Sequence, residues 1–447
     1  MQNETQDCQF KLFVHCCNNQ LKRKPHRFEI YLGQFKPKYL KTSEMVDSSA
    51  RSHNDSSVGD SKAKNTSPNH QNPSVKISAW ADRWKVLFNA SKSKDMIFTN
   101  KLLFNSPPLL FNDSVVKRVV EHKHLGLWLS SSLDWSKHVH ETCLSANRKL
   151  HVLRTVKFLN RSTLDLLYKI QVRSVIDYML PVFYHTLRPN EANRLTQIQY
   201  RAAKLVSGSL HFTNKAKLDE ELGWESLSTR ADFLGLSLFH KIHLHETRPL
   251  IRNCMPKIAP GNGPRTKGNY TLFHNHNTKF SGSFFPYFTK LWNKLPQNIK
   301  GKYDLIEFKN ELKLKLKPRK YKHFFRGNKL GNSLLCQLRV GRTFLNSHSY
   351  SIGHAESPAC LCHHPNETSS HFVLSCFLYQ EERRILFDAV EQIAPFIKFI
   401  SQPNHKKLDI LLHGCDIDND EMFHTNVKLQ IAMQQFLLKT KRLILTK

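Results

Sequence analysis

Four apolar stripes recur at three- and four-residue spacing between Asp134 and His245, and they set the fold class of this chain. The first predicts a helix over Asp134–Val156, with Val139, Cys143, Ala146, Leu150 and Leu153 on one face behind a capping Asp. The second runs over Ser162–Val182, capped by Ser162, on Leu164, Leu167, Ile170, Val175 and Ile176. The third opens on Pro189 and carries Leu195, Ile198, Ala202 and Leu205 to Ser207. The fourth covers Ser228–His245 with Phe233, Leu234, Leu238, Phe239 and Ile242. The connections are short, so the helices are expected to close into one compact bundle. Strand texture is sparse: Lys94–Thr99 and Lys123–Leu129, with Gly126 where a backbone must approach closely. Asp304–Leu316 is again helical and ends in a basic Lys313–Lys317 run. The fold class expected is mainly α with a few short β-strands (α+β).

The chain is 447 residues long, with 40% hydrophobic and 11% aromatic residues, enough for several buried cores. Residues 42–78 depart from that texture. They hold ten Ser and almost no large apolar side chain, so they read as a disordered linker. Residues 257–283 are Gly/Pro/Asn-rich and read as loop. No run of 18 apolar residues occurs, which excludes a spanning helix on sequence grounds. The amino terminus lacks the basic-then-apolar pattern of a signal peptide, and the ten Cys are mostly isolated. The expectation is an intracellular protein, nuclear or cytoplasmic, neither secreted nor bound to a membrane.

Charge is distributed unevenly. The net is +31, and residues 247–355 alone hold 21 Lys and Arg against three acids, Asp304, Glu307 and Glu311. A solvated face would intersperse acids with its bases, whereas a long polyanion rewards such a stripe by releasing condensed counterions. Lys313, Lys315, Lys317, Arg319, Lys320 and Lys322 form its densest part, with no acid after Glu311 until Glu356. RNA or DNA is therefore the expected partner.

Candidate chemistry concentrates in one place. Cys360, Cys362, His371 and Cys376 follow the spacing C-x-C-x8-H-x4-C. Two thiolates on a tight turn, then His and Cys about one helical turn apart, suit a tetrahedral structural Zn²⁺. His363 and His364 are substitute ligands, and the competing reading is core packing of His371 and Cys376. Few large apolar residues accompany the four, so metal would be expected to supply most of the folding free energy of 358–377. Asp416–Glu421 starts like a calcium loop but lacks the Gly and the closing Glu, leaving an exposed acidic loop. Nucleophile elbows, P-loops and H-E-x-x-H are absent, as is any Asp-Asp dipeptide. No catalytic residue is assigned.

Several phrases in order resemble the carboxy-terminal half of a non-LTR, LINE-type, jockey-like retrotransposon reverse transcriptase, over about residues 79–390. They are Trp80-x3-Trp84-x3-Phe88-Asn89-x2-Lys92-Ser93; His124-Leu-Gly126-x6-Leu133-Asp-Trp135-x2-His138-Val139; and Ile176-Asp177-Tyr178 followed by Leu195-x-Gln197-Ile198-Gln199-x-Arg201-Ala202. Trp224-Glu-Ser-Leu-x2-Arg230, Phe284-Phe285-Pro286-x4-Leu291-Trp292-Asn293-x-Leu295-Pro296, Phe308-Lys309 and Leu338-Arg-Val-Gly341-Arg342-Thr343-x2-Asn346-x-His348 continue it. The Cys/His cluster then matches the family's terminal knuckle. The resemblance implies an unassigned terminus at 1–41, the linker at 42–78, a palm-edge and primer-grip remnant at 79–130 and a helical thumb-like domain at 131–250. It continues with a basic nucleic-acid-binding region at 251–350, a zinc knuckle at 351–390 and a helical tail at 391–447.

It further implies that Lys92 sits where a polymerase places a general acid, though a plain surface Lys fits as well. Gly126 and Leu127 would line a primer strand or merely form a packed hairpin. Arg339 and Arg342 join the basic contacts, while Trp80, Trp84, Trp135, Trp224 and Trp292 are expected in the core. In the family an Asp-Asp strand lies shortly upstream of the position of Trp80, and here the Ser-rich segment stands there. The expectation is a truncated RNA-directed DNA polymerase fragment that is inactive alone, with Mg²⁺ relevant only if a palm is supplied elsewhere. A domesticated zinc-containing nucleic-acid-binding protein and half of a polymerase completed in trans are the alternatives.

Overall fold

The computed structural model describes residues 27–30, 93–98, 110–111, 114–244, 249–260, 268–274, 277–316, 318, 320–415 and 422–444. The described part is mainly helical with a few short strands. The Ser-rich segment, the Trp80–Lys92 phrase and the acidic loop at 416–421 lie outside these residues. Two compact units divide the chain, Leu21–Asp134 and a larger one that includes Trp135–Lys447.

The smaller unit carries the strands. β1 (Arg27–Ile30) pairs antiparallel with β2 (Lys94–Ile97), and β2 pairs parallel with β5 (Lys117–Arg118). The two-residue strands β3 (Leu110–Phe111) and β4 (Ser114–Val115) pair separately. β6 (Glu121–His124) and β7 (Leu127–Ser130) form an antiparallel hairpin. The single strand expected over Lys123–Leu129 is thus two strands. Leu125 and Gly126 make the turn, both at positive φ (46° and 88°), the geometry a two-residue hairpin turn demands. On β2, Met96 and Ile97 are buried beside Asp95, whose carboxylate is held by Arg118 at 2.8 Å.

The larger unit begins with α1 (Ser136–Thr155), which buries Val139, Cys143, Ala146, Leu150 and Leu153 as the spacing predicts. The second stripe is organised differently. α2 (Arg161–Leu167) is capped by Asn160, not Ser162; the Asn160 side chain accepts the Thr163 N–H. The helix then widens into a π turn over Tyr168–Arg173 and resumes as α3 (Ser174–Asp177). Its buried apolar residues are Leu164, Tyr168, Val172 and Ile176, at strict four-residue steps. On an ideal α-helix each such step overshoots by about 40°, and the wider π turn takes up part of that drift. Ile170, expected inside, is therefore 55% exposed. The chain breaks at Met179 (φ 57°) before α4 (Leu180–Phe183).

α5 (Pro189–Ser207) starts on Pro with Glu191 accepting the Arg188 N–H, and ends at Gly208 in the left-handed region. α6 (Lys215–Leu222), which the stripes did not reveal, is capped by Asn214 and packs on α5. α7 (Leu227–His243) is capped by Ser226 and buries Ala231, Gly235, Leu236, Phe239 and Ile242. Against α7 lie α8 (Phe284–Asn293) and α9 (Leu305–Leu316), the latter capped by Asp304. Of the tryptophans, Trp135, Trp224 and Trp292 are buried. Trp224 stacks on Tyr168 at 4.2 Å and donates to Asp165 Oδ1, while Trp292 donates to the Gly268 carbonyl.

A further core joins α10 (Lys329–Val340), α11 (Gln380–Ile393), α12 (Asn404–His413) and α13 (Phe423–Thr440). Leu334, Leu335, Phe372, Val373, Leu386, Leu411, Met433 and Phe436 meet in it.

Candidate metal centre and basic surface

Pro358–Glu367 folds back on itself through two backbone bonds, Cys360 N–H to the His364 carbonyl and Glu367 N–H to the Pro358 carbonyl. His363 at the bend adopts φ 66° and its side chain is exposed. The fold-back brings Cys360 and Cys362 to one side. Beyond it, His371–Ser375 is a π turn closed by the Cys376 N–H donating to the His371 carbonyl at 2.8 Å. Five residues along an α-helix would carry Cys376 about 140° away from His371, whereas the i→i+5 closure stacks them on one face. The sequence expectation of a shared helical face holds through a different helix.

The four donor atoms all lie within 4.8 Å of one another. Cys360 Sγ is 3.6 Å from Cys376 Sγ, and Cys362 Sγ is 3.2 Å from His371 Nε2. A zinc tetrahedron with Zn–S near 2.3 Å has sulfur–sulfur edges of about 3.8 Å, so these separations fit such an ion. Backbone amides prepare the sulfurs for negative charge. The Cys362 N–H points to Cys360, those of His364 and Phe377 to Cys362, and that of Leu378 to Cys376. The His364 amide holds the Cys362 thiol below its usual range. Burial pushes the Cys360 thiol up to about 12 and raises Cys376, and it lowers the pKa of His371, which favours the neutral imidazole that a ligand requires. The cluster could hold a metal ion such as zinc. His364, the substitute ligand, stands beside the cluster: its ring stacks on His371 at 4.0 Å and its Nδ1 lies 2.9 Å from the Asn366 carbonyl oxygen.

One expectation is corrected here. The knuckle does not stand on metal alone, because Phe372 and Val373 are fully buried in the core shared with α10 and α13. Arg383, itself buried, donates to the Val373 and Cys376 carbonyls and braces the π turn.

The predicted nucleic-acid contacts fare unequally. Lys313 and Lys315 are exposed on α9, Lys322 is exposed, and Arg342 is half-buried. Gly126 is exposed at its hairpin tip, with Leu127 buried behind it. Lys92, Lys317 and Arg319 lie outside the described residues. Lys320 is partly engaged, bonded to Asp165 at 2.7 Å and set over the Phe325 ring. Arg339 is removed from the interface. Its side chain is 2% exposed, clasps Glu221 through Nε and Nη2 and donates to the Leu412 carbonyl. Arg161 holds the same carboxylate, and burial of three charges is offset only by such close pairing.

Other bases take the surface. α1 and α5 pack side by side, and across their seam Arg194 reaches His140 (3.2 Å) and Arg201 reaches Asn147 (3.4 Å). Arg148 and Arg154 are exposed on α1 as well. These bases lie outside the densest tract, so the charge count along the chain does not single them out. They appear only when two helices separated by 33 residues of sequence lie together.

The chain is similar in sequence to RNA-directed DNA polymerases of non-LTR retrotransposons. It is 25% identical over 315 residues to the retrovirus-related Pol polyprotein from type-1 retrotransposable element R1 of Bradysia coprophila, covering 68% of this chain and 29% of that protein. It is 27% identical over 185 residues to a probable RNA-directed DNA polymerase from transposon X-element of Drosophila melanogaster (40% and 19%). The RNA-directed DNA polymerase from mobile element jockey of the same fly is 22% identical over 203 residues (44% and 22%). The chain thus spans less than a third of the length of these curated relatives. No family model and no solved structure matches it.

Proposed function

We propose that this chain binds RNA, DNA or their hybrid duplex through backbone contacts, as the thumb-and-tail part of a retroelement polymerase, and does not add nucleotides by itself. The relatives named as RNA-directed DNA polymerases support the class. The observation that carries the binding role is the pair of exposed arginines, Arg194 and Arg201, that reach across the α1–α5 seam; the exposed lysines of α9 belong to the same unit. Guanidinium groups held at intervals of two helical turns suit a repeating phosphate backbone and do not read bases. The Cys/His cluster would hold one structural Zn²⁺, since four protein donors leave no open position for water.

Fluorescence anisotropy on a labelled duplex, repeated across a salt series, tests the reading. With about four to six phosphate contacts, log K should fall with log salt at a slope near −4 to −5, with little dependence on sequence. Replacing Arg148, Arg194 and Arg201 by Ser should shallow that slope by about 0.9 for each contact removed. Unchanged affinity and slope would return these residues to a solvated face.

A further inference from the structure

Behind Cys360 lies a carboxylate that the metal-binding spacing does not include. Glu367 is 1% exposed, and its Oε1 is 3.8 Å from Cys360 Sγ. The same carboxylate accepts from Arg442 at both oxygens, Nε to Oε1 at 2.7 Å and Nη2 to Oε2, and from the Asn346 backbone N–H at 2.7 Å. Asn346 completes the ring. Its Oδ1 accepts from Arg442 Nη2 at 2.9 Å, and its Nδ2 donates to the carbonyl of Ala359, the residue before the first ligand, at 2.6 Å. Three segments separated by up to 96 residues therefore converge on the rear of one cysteine.

We propose that Glu367, Asn346 and Arg442 form an outer shell that sets the metal affinity of the Cys/His centre, with Arg442 as its positioning residue. The inference rests on the metal reading above. Three thiolates and a neutral imidazole around a dication carry one net negative charge, and a buried carboxylate beside them would add a second. Arg442 cancels it, and its planar fork fixes Glu367 in a way an ammonium cannot. Asn346 transmits the same restraint to the backbone that aims Cys360. Such outer partners typically govern metal affinity by about 10–100-fold.

The test is Co²⁺ and Zn²⁺ titration of the full chain, read by the visible spectrum of tetrahedral thiolate-bound Co²⁺ and by competition with a chelating dye. Arg442→Met should weaken Zn²⁺ binding by about 10–100-fold. At saturating Co²⁺ the tetrahedral spectrum should persist, and far-ultraviolet circular dichroism should be unchanged. Arg442→Lys should recover only part of the loss. Glu367→Gln combined with Arg442→Met should bind within a few-fold of wild type, because both charges leave together; a merely structural Arg442 would leave the double variant no better than the single. Wild-type affinity in Arg442→Met overturns the proposal while the metal site stands. A wild-type chain that takes up no Co²⁺ or Zn²⁺ overturns both, and the two failures are told apart by the wild-type spectrum alone.

Discussion

Gly235 shows how a single missing side chain organises the bundle. A Cβ there would lie 1.9 Å from the Phe288 ring, so α7 and α8 approach more closely than any other residue would allow. This gives the Phe284-Phe285-Pro286 phrase a physical role, since it starts the helix that presents Phe288. Gly235→Ala should destabilise the protein by about 1–3 kcal/mol, the range for forcing extra carbons into a packed core; the midpoint of urea unfolding measures it. His323 supplies a pH-dependent counterpart. It is 5% exposed, its Nε2 donates to the His413 carbonyl at 2.8 Å, and burial aided by the Arg339 charge lowers its pKa to about 4. The unfolded chain takes up that proton first as pH falls. The stability it contributes is present above about 6.5 and lost toward 4, up to about 3 kcal/mol. Urea midpoints at pH 7 and pH 5 should differ less in His323→Gln than in wild type. At this scale the sequence told part of the story. Trp135, Trp224 and Trp292 are legible as core from their bulk alone, but Arg339 is not. A base looks the same in sequence whether it faces phosphate or clasps a buried Glu221 from another helix.

Elements were legible where apolar period and helix geometry agree. α1 and α5 keep a three- and four-residue rhythm and end close to their expected limits. The second helix was misread because Leu164, Tyr168, Val172 and Ile176 keep a period that belongs to an α-helix interrupted by a π turn. The short α6 lacks a repeated stripe and is marked only by its Asn214 cap and closing Gly223. The metal element is the instructive case. Its four clustered donors could be chosen from spacing, but the π turn that aligns His371 with Cys376, and the Glu367, Asn346 and Arg442 ring beside Cys360, could not. Purified protein should carry about one Zn²⁺ per chain by elemental analysis, absent in Cys376→Ser. Zinc should be released as pH falls, because protons compete for the thiolates. Metal-free protein with this segment unaltered would count against the centre.

At the scale of the molecule, the proposed lack of nucleotide addition turns on the carboxylates. Two-metal nucleotide transfer needs carboxylates that converge without cationic partners. Among the described residues the buried acids are already paired: Asp95 with Arg118, Asp165 with Lys169 and Lys320, Glu191 with Arg188, Glu221 with two arginines, Glu225 with Arg230 and Glu367 with Arg442. The Cys/His cluster is the one grouping there with metal-binding geometry. Primer extension on an RNA template with Mg²⁺ and all four nucleotides should yield no product from this chain. Incorporation abolished by replacing one of its own acids would refute that. The polymerase resemblance was readable because several phrases keep their order, whereas the proposed nucleic-acid surface depends on which helices pack together.

The packing around Glu367 has a kinetic side. Its clamp ties Arg442, just past α13, to the knuckle, and Phe372 and Val373 enter the core built by α10, α11 and α13. Elements sharing one core and one ionic lock cannot open singly, so their amide protons share a single opening free energy and exchange with solvent as one cooperative unit. A metal ion held at the centre would deepen that common protection by mass action and slow exchange as far away as α10.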